Sequence, residues 1–248
     1  MYSKEYFSDA IFDTDYAAIA KIIADKYQPK TVLEIGCGPG KLTKALSVHV
    51  NKIVAFDGFS NPEFNDYSNI MFHRLDLNNN TDKVKEIQDQ HFDIAICMEV
   101  AEHINPQASA SLIKLLTKHA NVVIFTAAVP NQGGHGHINC QPRTFWNKLF
   151  VEQNFTINTK VMPFIQSNEN IAIWYRLNIT DYVKNDSDLK ISESEIIHNL
   201  LESQSFASSM FYQSSNNESR LSAVLNQFPT NFALKSRNIL KRILGKNA

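Results

Sequence analysis

A mostly parallel β-sheet covered by helices on both faces, with an antiparallel hairpin at one edge and a polar helical C-terminal extension, is the α/β architecture the sequence predicts. Three observations predict it. Short apolar, β-branched runs alternate with helical segments through the first half of the chain, the pattern of parallel strands joined by crossovers. Glycines cluster where the first strand hands over to a helix. The composition is globular, with 248 residues, 44% hydrophobic and 20% charged, so one large domain with an appendage fits the length.

Each element has its own signal. Asp15 to Tyr27 places Ile19, Ile22 and Ile23 on one helical face, and Pro29 ends that helix. Thr31–Ile35 reads as the first strand and runs into Gly36–Gly40, with a helix expected over 41–48. Ile53–Phe56 and Ile70–Leu75 are the next strands, and Thr81–Gln90 reads as helical. Phe92–Met98 is a strongly apolar fourth strand. Pro106–His119 is a helix with Leu112, Ile113, Leu115 and Leu116 as its buried stripe, and Val122–Ala128 is the fifth strand. A helix carrying Phe145, Trp146, Leu149 and Phe150 starts at Pro142. Phe155–Ile165 and Ile171–Val183 read as the antiparallel edge pair, with Trp174, Tyr175 and Arg176 on the second strand. At about Lys184 the composition turns polar, rich in Ser, Asn, Glu and Gln. The division expected is therefore residues 1–183 and an extension over 184–248. The extension ends in a basic amphipathic segment, Phe232–Lys246, read as a helix docked on the domain with its basic face solvated, contact with anionic lipid or nucleic acid being the alternative.

Charge and cysteine content exclude several classes. Lysine and arginine number 24 against 25 aspartates and glutamates, a net charge of −1. That disfavours a globally basic nucleic-acid binder. No apolar run reaches the roughly 18 residues of a membrane span, so stable membrane insertion is not expected. The polar start at Met1–Glu5 lacks an apolar signal core, which points to the cytoplasm. Cys37, Cys97 and Cys140 are odd in number and scattered, against a disulfide framework. Nothing in the sequence sets the oligomeric state.

The glycine segment carries chemistry. Glycine lets a backbone turn sharply and approach a ligand closely. The spacing is G-x-G-x-G, with Lys41 where a dinucleotide fingerprint has its third glycine, and Gly40-Lys41 lacks the Ser or Thr of a phosphate loop. Glu34 before the loop would repel a pyrophosphate and suits a cationic or hydroxyl-bearing ligand. Asp57 ends the second strand, where a carboxylate meets ribose hydroxyls. Residues 32–43, VLEIGCGPGKLT, resemble motif I of class I methyltransferases dependent on S-adenosylmethionine (SAM). The resemblance covers about Tyr16–Val183 and implies a Rossmann-like fold. It implies that Gly36, Gly38 and Gly40 lie along the methionine part of SAM, with Glu34 at its amino end. It places Asp57 on the ribose diol and Asp76 at the adenine amino group, with a turn or helix-capping role as the alternative for Asp76. Cys37, Leu77, Met98 and Glu99 complete the cofactor-binding set. Tyr6, Phe7 and Tyr16 would lid the pocket or pack in the core.

Residues 92–104, FDIAICMEVAEHI, resemble the fourth-strand motif of a methyltransferase group that includes ubiquinone-biosynthesis and small-RNA 3′-end enzymes. This places Glu99, Glu102 and His103 where the methyl group is presented. A hydroxyl acceptor needs its proton removed, by a base or by a metal that lowers its pKa. Glu102, His103 and His137 are the candidate catalytic groups. Glu99, Glu102, His103 and a later histidine, His135 or His137, are also the ligand set by which the small-RNA enzymes hold a divalent ion, so His137 joins the candidate metal set for Mg or Mn. A capping role for the motif is the third alternative. Residues 131–146, NQGGHGHINCQPRTFW, resemble a loop of bacterial and phage methyltransferases associated with surface-polysaccharide and sugar modification. There His137, Asn139 and Gln141 would face the acceptor. The expected function is SAM-dependent O-methylation of a sugar or similar small polar acceptor. RNA 2′-O-methylation with a divalent metal and a non-catalytic SAM-binding subunit are the alternatives.

Overall fold

The computed structural model describes residues 13–79, 84–132 and 134–216. The chain order is α1 (Tyr16–Tyr27), β1 (Thr31–Ile35), α2 (Lys41–Ser47), β2 (Lys52–Asp57), β3 (Ile70–Arg74), β4 (Ile94–Met98), α3 (Ser109–His119) and β5 (Val122–Thr126). It continues through α4 (Arg143–Glu152), β6 (Phe155–Ile157), α5 (Met162–Ser167), α6 (Ile173–Asn178), β7 (Thr180–Lys184) and α7 (Glu193–Asn216). The strands form one sheet in the order β3-β2-β1-β4-β5-β7-β6. β1 to β5 are parallel, whereas β7 runs antiparallel to both β5 and β6. From β1 the chain steps outward to β2 and β3, then returns to place β4 on the other flank of β1. That reversal opens a crevice beyond the carboxyl ends of β1 and β4, where ligands bind in open α/β sheets.

Side-chain alternation divides the core. Val32, Ile53, Ala55, Ile94, Ile96 and Ile124 face the layer holding Ile19 and Ile23 of α1 and Leu46 of α2. Leu33, Ile35, Val54, Ala95 and Val123 face Leu112, Ile113 and Leu116 of α3 and Trp146 and Phe150 of α4. The central strands are buried on both faces, which explains their continuous apolar character. At the edge, Tyr27 donates to the buried Asp181 of β7, and Asp181 accepts the Lys160 N–H at 2.8 Å. This ties α1 to the antiparallel strands.

The antiparallel edge is present, but its strands are shorter than expected. Residues between β6 and β7 form two short helices instead. The apolar spacing explains the difference: Val161, Met162 and Ile165, then Ile171, Tyr175 and Ile179, repeat at helical intervals and enter one core layer. Pro163 sits in the first turn of α5, where its missing N–H costs nothing. The expected helix over Thr81–Gln90 is reduced, among the described residues, to a 3-10 turn at Lys85–Ile87. A similar turn, Pro106–Ala108, leads into α3.

After a non-helical stretch over 185–192, the polar extension forms one continuous helix, α7. α7 lies against α5 through Gln166 Nε2 donating to Ser203 Oγ at 2.8 Å. Asn199 Nδ2 donates to the Thr159 carbonyl at 3.2 Å, and the Arg176 guanidinium lies 4.9 Å from the Phe206 ring centroid. Among the described residues no helix is long and apolar enough to cross a membrane. Tyr6, Phe7 and the basic segment Phe232–Lys246 lie outside the described residues.

Candidate active site

The glycine turn is folded by two acceptors from β2, Phe56 and Asp57, and by one of its own. The N–H groups of Gly36 and Cys37 both donate to the Phe56 carbonyl, at 2.7 and 3.0 Å, and Gly40 N–H closes onto the Cys37 carbonyl at 2.9 Å. Gly36 and Gly40 have φ of 81° and 76°, in the left-handed region that glycine enters without steric cost. Asp57 is the second acceptor. Its Oδ2 takes the Gly38 N–H at 2.9 Å, and its Oδ1 takes the N–H groups of Phe59 and Ser60 at 2.8 and 2.6 Å. One carboxylate thus joins the loop after β1 to the loop after β2. Asp76 acts as a turn residue, its Oδ1 accepting the Asn78 N–H at 2.9 Å and its Oδ2 the Asn79 side chain at 2.6 Å.

These residues share a cavity. Glu34, Gly36, Cys37, Gly38, Asp57, Asp76, Leu77, Met98, Glu99 and His103 line it, together with Tyr16, Phe59 and Tyr175. Ten of the sequence-predicted groups therefore meet in one space. Gly40 sits outside the wall, packed under Phe64. Tyr175, expected on a strand, reaches the cavity from α6.

Glu34 is buried and one of its oxygens has no hydrogen-bond partner. Burial, with the charge of Asp57 adding to it, pushes its carboxyl up to about 7. A carboxyl that is harder to ionise in the fold than in the open chain favours folding when protonated. That contribution is complete below about pH 4.5 and is lost as pH rises through about 7. Substituting Glu34→Gln is therefore expected to flatten the fall in unliganded stability between pH 5 and 8 by up to roughly 3 kcal/mol. Denaturant titrations of both proteins across that range measure it.

Beyond β4 the backbone of Glu99 turns left-handed, with φ 54°, held by its N–H donating to the Thr126 carbonyl at 3.2 Å and hydroxyl at 2.8 Å. Ala101–His103 then form a 3-10 turn. Glu102 is 0% exposed. Its Oε1 accepts the Ala128 N–H at 3.2 Å and its Oε2 has no partner. Burial first, and the neighbouring charge of Glu99 second, hold the Glu102 carboxyl well above the usual carboxylate range. Glu99 is raised by burial as well.

The histidine loop is sewn onto that turn. The N–H groups of Ile138 and Asn139 donate to the Glu102 carbonyl at 2.9 and 3.0 Å. Asn139 is buried and its amide donates to the Ala101 carbonyl and Ser109 hydroxyl at 3.0 and 2.9 Å. Asn139 was expected at the acceptor; it anchors the loop instead, and Gln141 bonds to it at 3.0 Å. The result brings His137 to His103, with ring centroids 4.8 Å apart. Glu102, His103 and His137 each offer one atom within 4.8 Å of the others. Glu99 falls outside that set, its carboxylate facing Asn178 at 3.4 Å.

Both imidazoles bond through Nδ1 to carbonyls, His103 to Gly136 at 3.3 Å and His137 to Gln132 at 3.4 Å. A carbonyl only accepts, so Nδ1 carries the hydrogen and Nε2 is the lone-pair nitrogen. Burial, with His137 beside it, pushes His103 down to about 4, and burial lowers His137. Both rings are neutral at pH 7.

Sequence reasoning missed Thr126, Asn178 and the side chain of Gln132. Thr126 sits on a strand with no polar neighbour to flag it, and Asn178 lay in a stretch read as a strand. The residues of the glycine turn and of the Glu99–His103 turn were the ones with a spacing to read.

Comparison with known proteins gives the family and the fold. Residues 11–160, more than half of the chain, match a family described as a methyltransferase domain. Streptomyces venezuelae DesVI has the same fold, with a TM-score of 0.50 at 10% identity over 69% of this chain and 92% of that one. The sugar N-methyltransferase KedS8 from Streptoalloteichus sp ATCC 53650 gives 0.50 at 10% identity over 71% and 88%. Identities this low speak for the fold alone. No curated protein matches the chain. A glycine turn against Asp57, a carboxylate–histidine turn beyond β4 and the matched family together assign the chain: it belongs to the methyltransferase-domain family, as a class I SAM-dependent methyltransferase.

Proposed function

We propose that the enzyme methylates a hydroxyl of a sugar or similar small polar acceptor, with Glu102, His103 and His137 handling the hydroxyl proton. The observation that carries this reading is their convergence within 4.8 Å at the end of the cavity that His103 lines. The cavity residues fit SAM. The unpartnered, buried oxygen of Glu34 suits its ammonium group, and Asp57 at the wall suits its ribose diol. When bound, SAM supplies a methyl group on a sulfonium centre with a good leaving group.

The chain's own residues then have three tasks. The glycine turn and Asp57 fix the donor, because alignment supplies much of the rate in a displacement of this kind. The Nε2 lone pair of a neutral imidazole would take the proton of the acceptor hydroxyl. Glu102, with one oxygen within 4.8 Å of both rings, is the group next to the imidazolium that can exchange a proton with it. Because His103 stays neutral down to about pH 4, protonation of that ring does not limit turnover near pH 6.5, where a solvated histidine would.

A second reading rests on Glu102 Oε2. A buried oxygen without a partner, beside two neutral imidazoles, is a donor set that a divalent cation such as Mg or Mn would complete. Glu102, His103 and His137 would hold the ion, which would lower the pKa of an acceptor hydroxyl, including an RNA ribose 2′-hydroxyl. Turnover of methyl-labelled SAM against panels of sugars and short RNAs, followed by mass spectrometry with and without chelator, separates the readings. Methylation that survives chelation supports the protein base. Methylation lost to chelator and restored by Mn²⁺ supports the ion. SAM binding with no product on any acceptor overturns both and leaves a non-catalytic subunit.

Gly134 offers a local test. A Cβ there would lie 2.0 Å from His137 Cε1 and 2.2 Å from its Nε2. The ring must swing aside, and a displacement of about 1 Å at a reacting group costs on the order of 10²-fold. Gly134→Ala is therefore expected to lower turnover about 10²-fold with SAM affinity unchanged, as read by steady-state kinetics beside calorimetry.

A further inference from the structure

We propose that Asn178 and Gln132 form a positioning relay that joins Glu99 to His137 and fixes the tautomer in which His137 meets the acceptor. The inference rests on the reading of His137 as a reaction group, and its test does not.

Asn178 ends α6, three residues after Tyr175 at the cavity wall. It is 4% exposed. Its Nδ2 donates to Gln132 Oε1 at 3.0 Å and to Glu99 Oε1 at 3.4 Å. The chemistry fixes each amide. Gln132 Oε1 also accepts the Val129 N–H at 3.3 Å, so that atom is the oxygen. The Asn178 atom facing it must then be the nitrogen. With the nitrogen committed to two acceptors, Asn178 Oδ1 is left buried and without a partner. A fold keeps such a cost where the other end of the side chain is needed.

Gln132 carries the constraint onward. Its main-chain carbonyl accepts the His137 Nδ1–H at 3.4 Å and the Cys140 thiol at 3.8 Å. Its side chain is held by Asn178 and its own N–H by the Val129 carbonyl at 3.0 Å. The carbonyl that selects the His137 tautomer is thus aimed by a side chain from another element. In water the alternative tautomer, with hydrogen on Nε2, would turn a donor toward the hydroxyl that must lose its proton. A second partner that orients an imidazole in this way is a recurring device at reactive histidines.

The test is nitrogen NMR of histidine side chains in the full chain, with chelator present and His137 assigned by its loss in His137→Gln. The protein has 8 histidines, few enough to resolve. The wild type is expected to show His137 with hydrogen on Nδ1. Asn178→Leu and Gln132→Leu are each expected to lose that pattern while SAM affinity stays within about twofold, and the double variant is expected to be no worse than either, since the relay acts as one unit. Should either leucine variant fail to fold, Asn178→Ser and Gln132→Ser give the same readout with less volume change. A His137 pattern unchanged in both positions overturns the relay. If the pattern changes and turnover does not, the relay stands and the catalytic reading of His137 falls.

Discussion

Substituting Gly36→Ala is expected to abolish measurable SAM binding and to destabilise the fold by roughly 2–5 kcal/mol, from left-handed strain and overpacking together. The new Cβ would lie 2.2 Å from Val100 Cγ2 and 2.9 Å from Val100 Cγ1, at a φ of 81°. Neither problem has a cheap exit. A β-branched valine is stiff about χ1, so it cannot rotate both methyls away. Val100 is also the residue after Glu99, whose backbone is already left-handed and pinned to Thr126. Relief must come from the turn itself, which hangs on the Phe56 carbonyl through Gly36 and Cys37. Shifting it withdraws Gly38 from Asp57 as well. Calorimetry with SAM and a denaturant titration measure the two effects. The contrast with Gly134→Ala is the sharper check: one glycine is expected to remove binding, the other to remove turnover with binding intact. SAM affinity within threefold of wild type in Gly36→Ala would show that the turn bends without serving the ligand.

That contrast also explains what was legible in the sequence. The turn after β1 is short, and its chemistry is local: three glycines, a carboxylate before them and Asp57 one strand later. Local chemistry leaves a spacing that can be read. The same holds for Glu99, Glu102 and His103, carried by a strand end and a single 3-10 turn. The two histidine segments were each visible, but their meeting was not. It depends on Asn139 reaching back to Ala101 and Ser109, 38 and 30 residues earlier in the chain. The surroundings of Glu99 are likewise tertiary, with Asn178 facing its carboxylate at 3.4 Å. The stretch between β6 and β7 was misread because its β-branched residues imitate a strand while their spacing is that of a helix. Burial decides in favour of the spacing, because Ile171, Ala172, Trp174 and Tyr175 all pack into one layer, which the face-to-face alternation of a strand forbids.

Glu102→Gln is expected to lower turnover by about 10²–10⁴-fold, the usual range for a positioned acid–base group, while the protein becomes no less stable. The two halves of that expectation have one cause. Glutamine keeps the shape and the oxygen that accepts the Ala128 N–H. The main-chain carbonyl that anchors Ile138 and Asn139 does not change, so the histidine loop stays in place. What disappears is a carboxyl that burial and Glu99 hold well above its ordinary range. Such a group favours folding only while protonated, so its contribution is complete at low pH and is lost as pH rises above the ordinary carboxylate pKa. The neutral amide is exempt from that loss, and the variant's advantage should grow from pH 5 to pH 8. A fold that tolerates a removable cost at one buried oxygen, next to two imidazoles with their lone-pair nitrogens set by carbonyls, is retaining the group for chemistry rather than for packing. Kinetics and unfolding of the same preparation decide the matter. Turnover within threefold of wild type would make Glu102 a structural acceptor for Ala128. A large loss of both turnover and stability would mean that the ionised carboxylate is already balanced by a partner, the outcome a tightly held cation predicts.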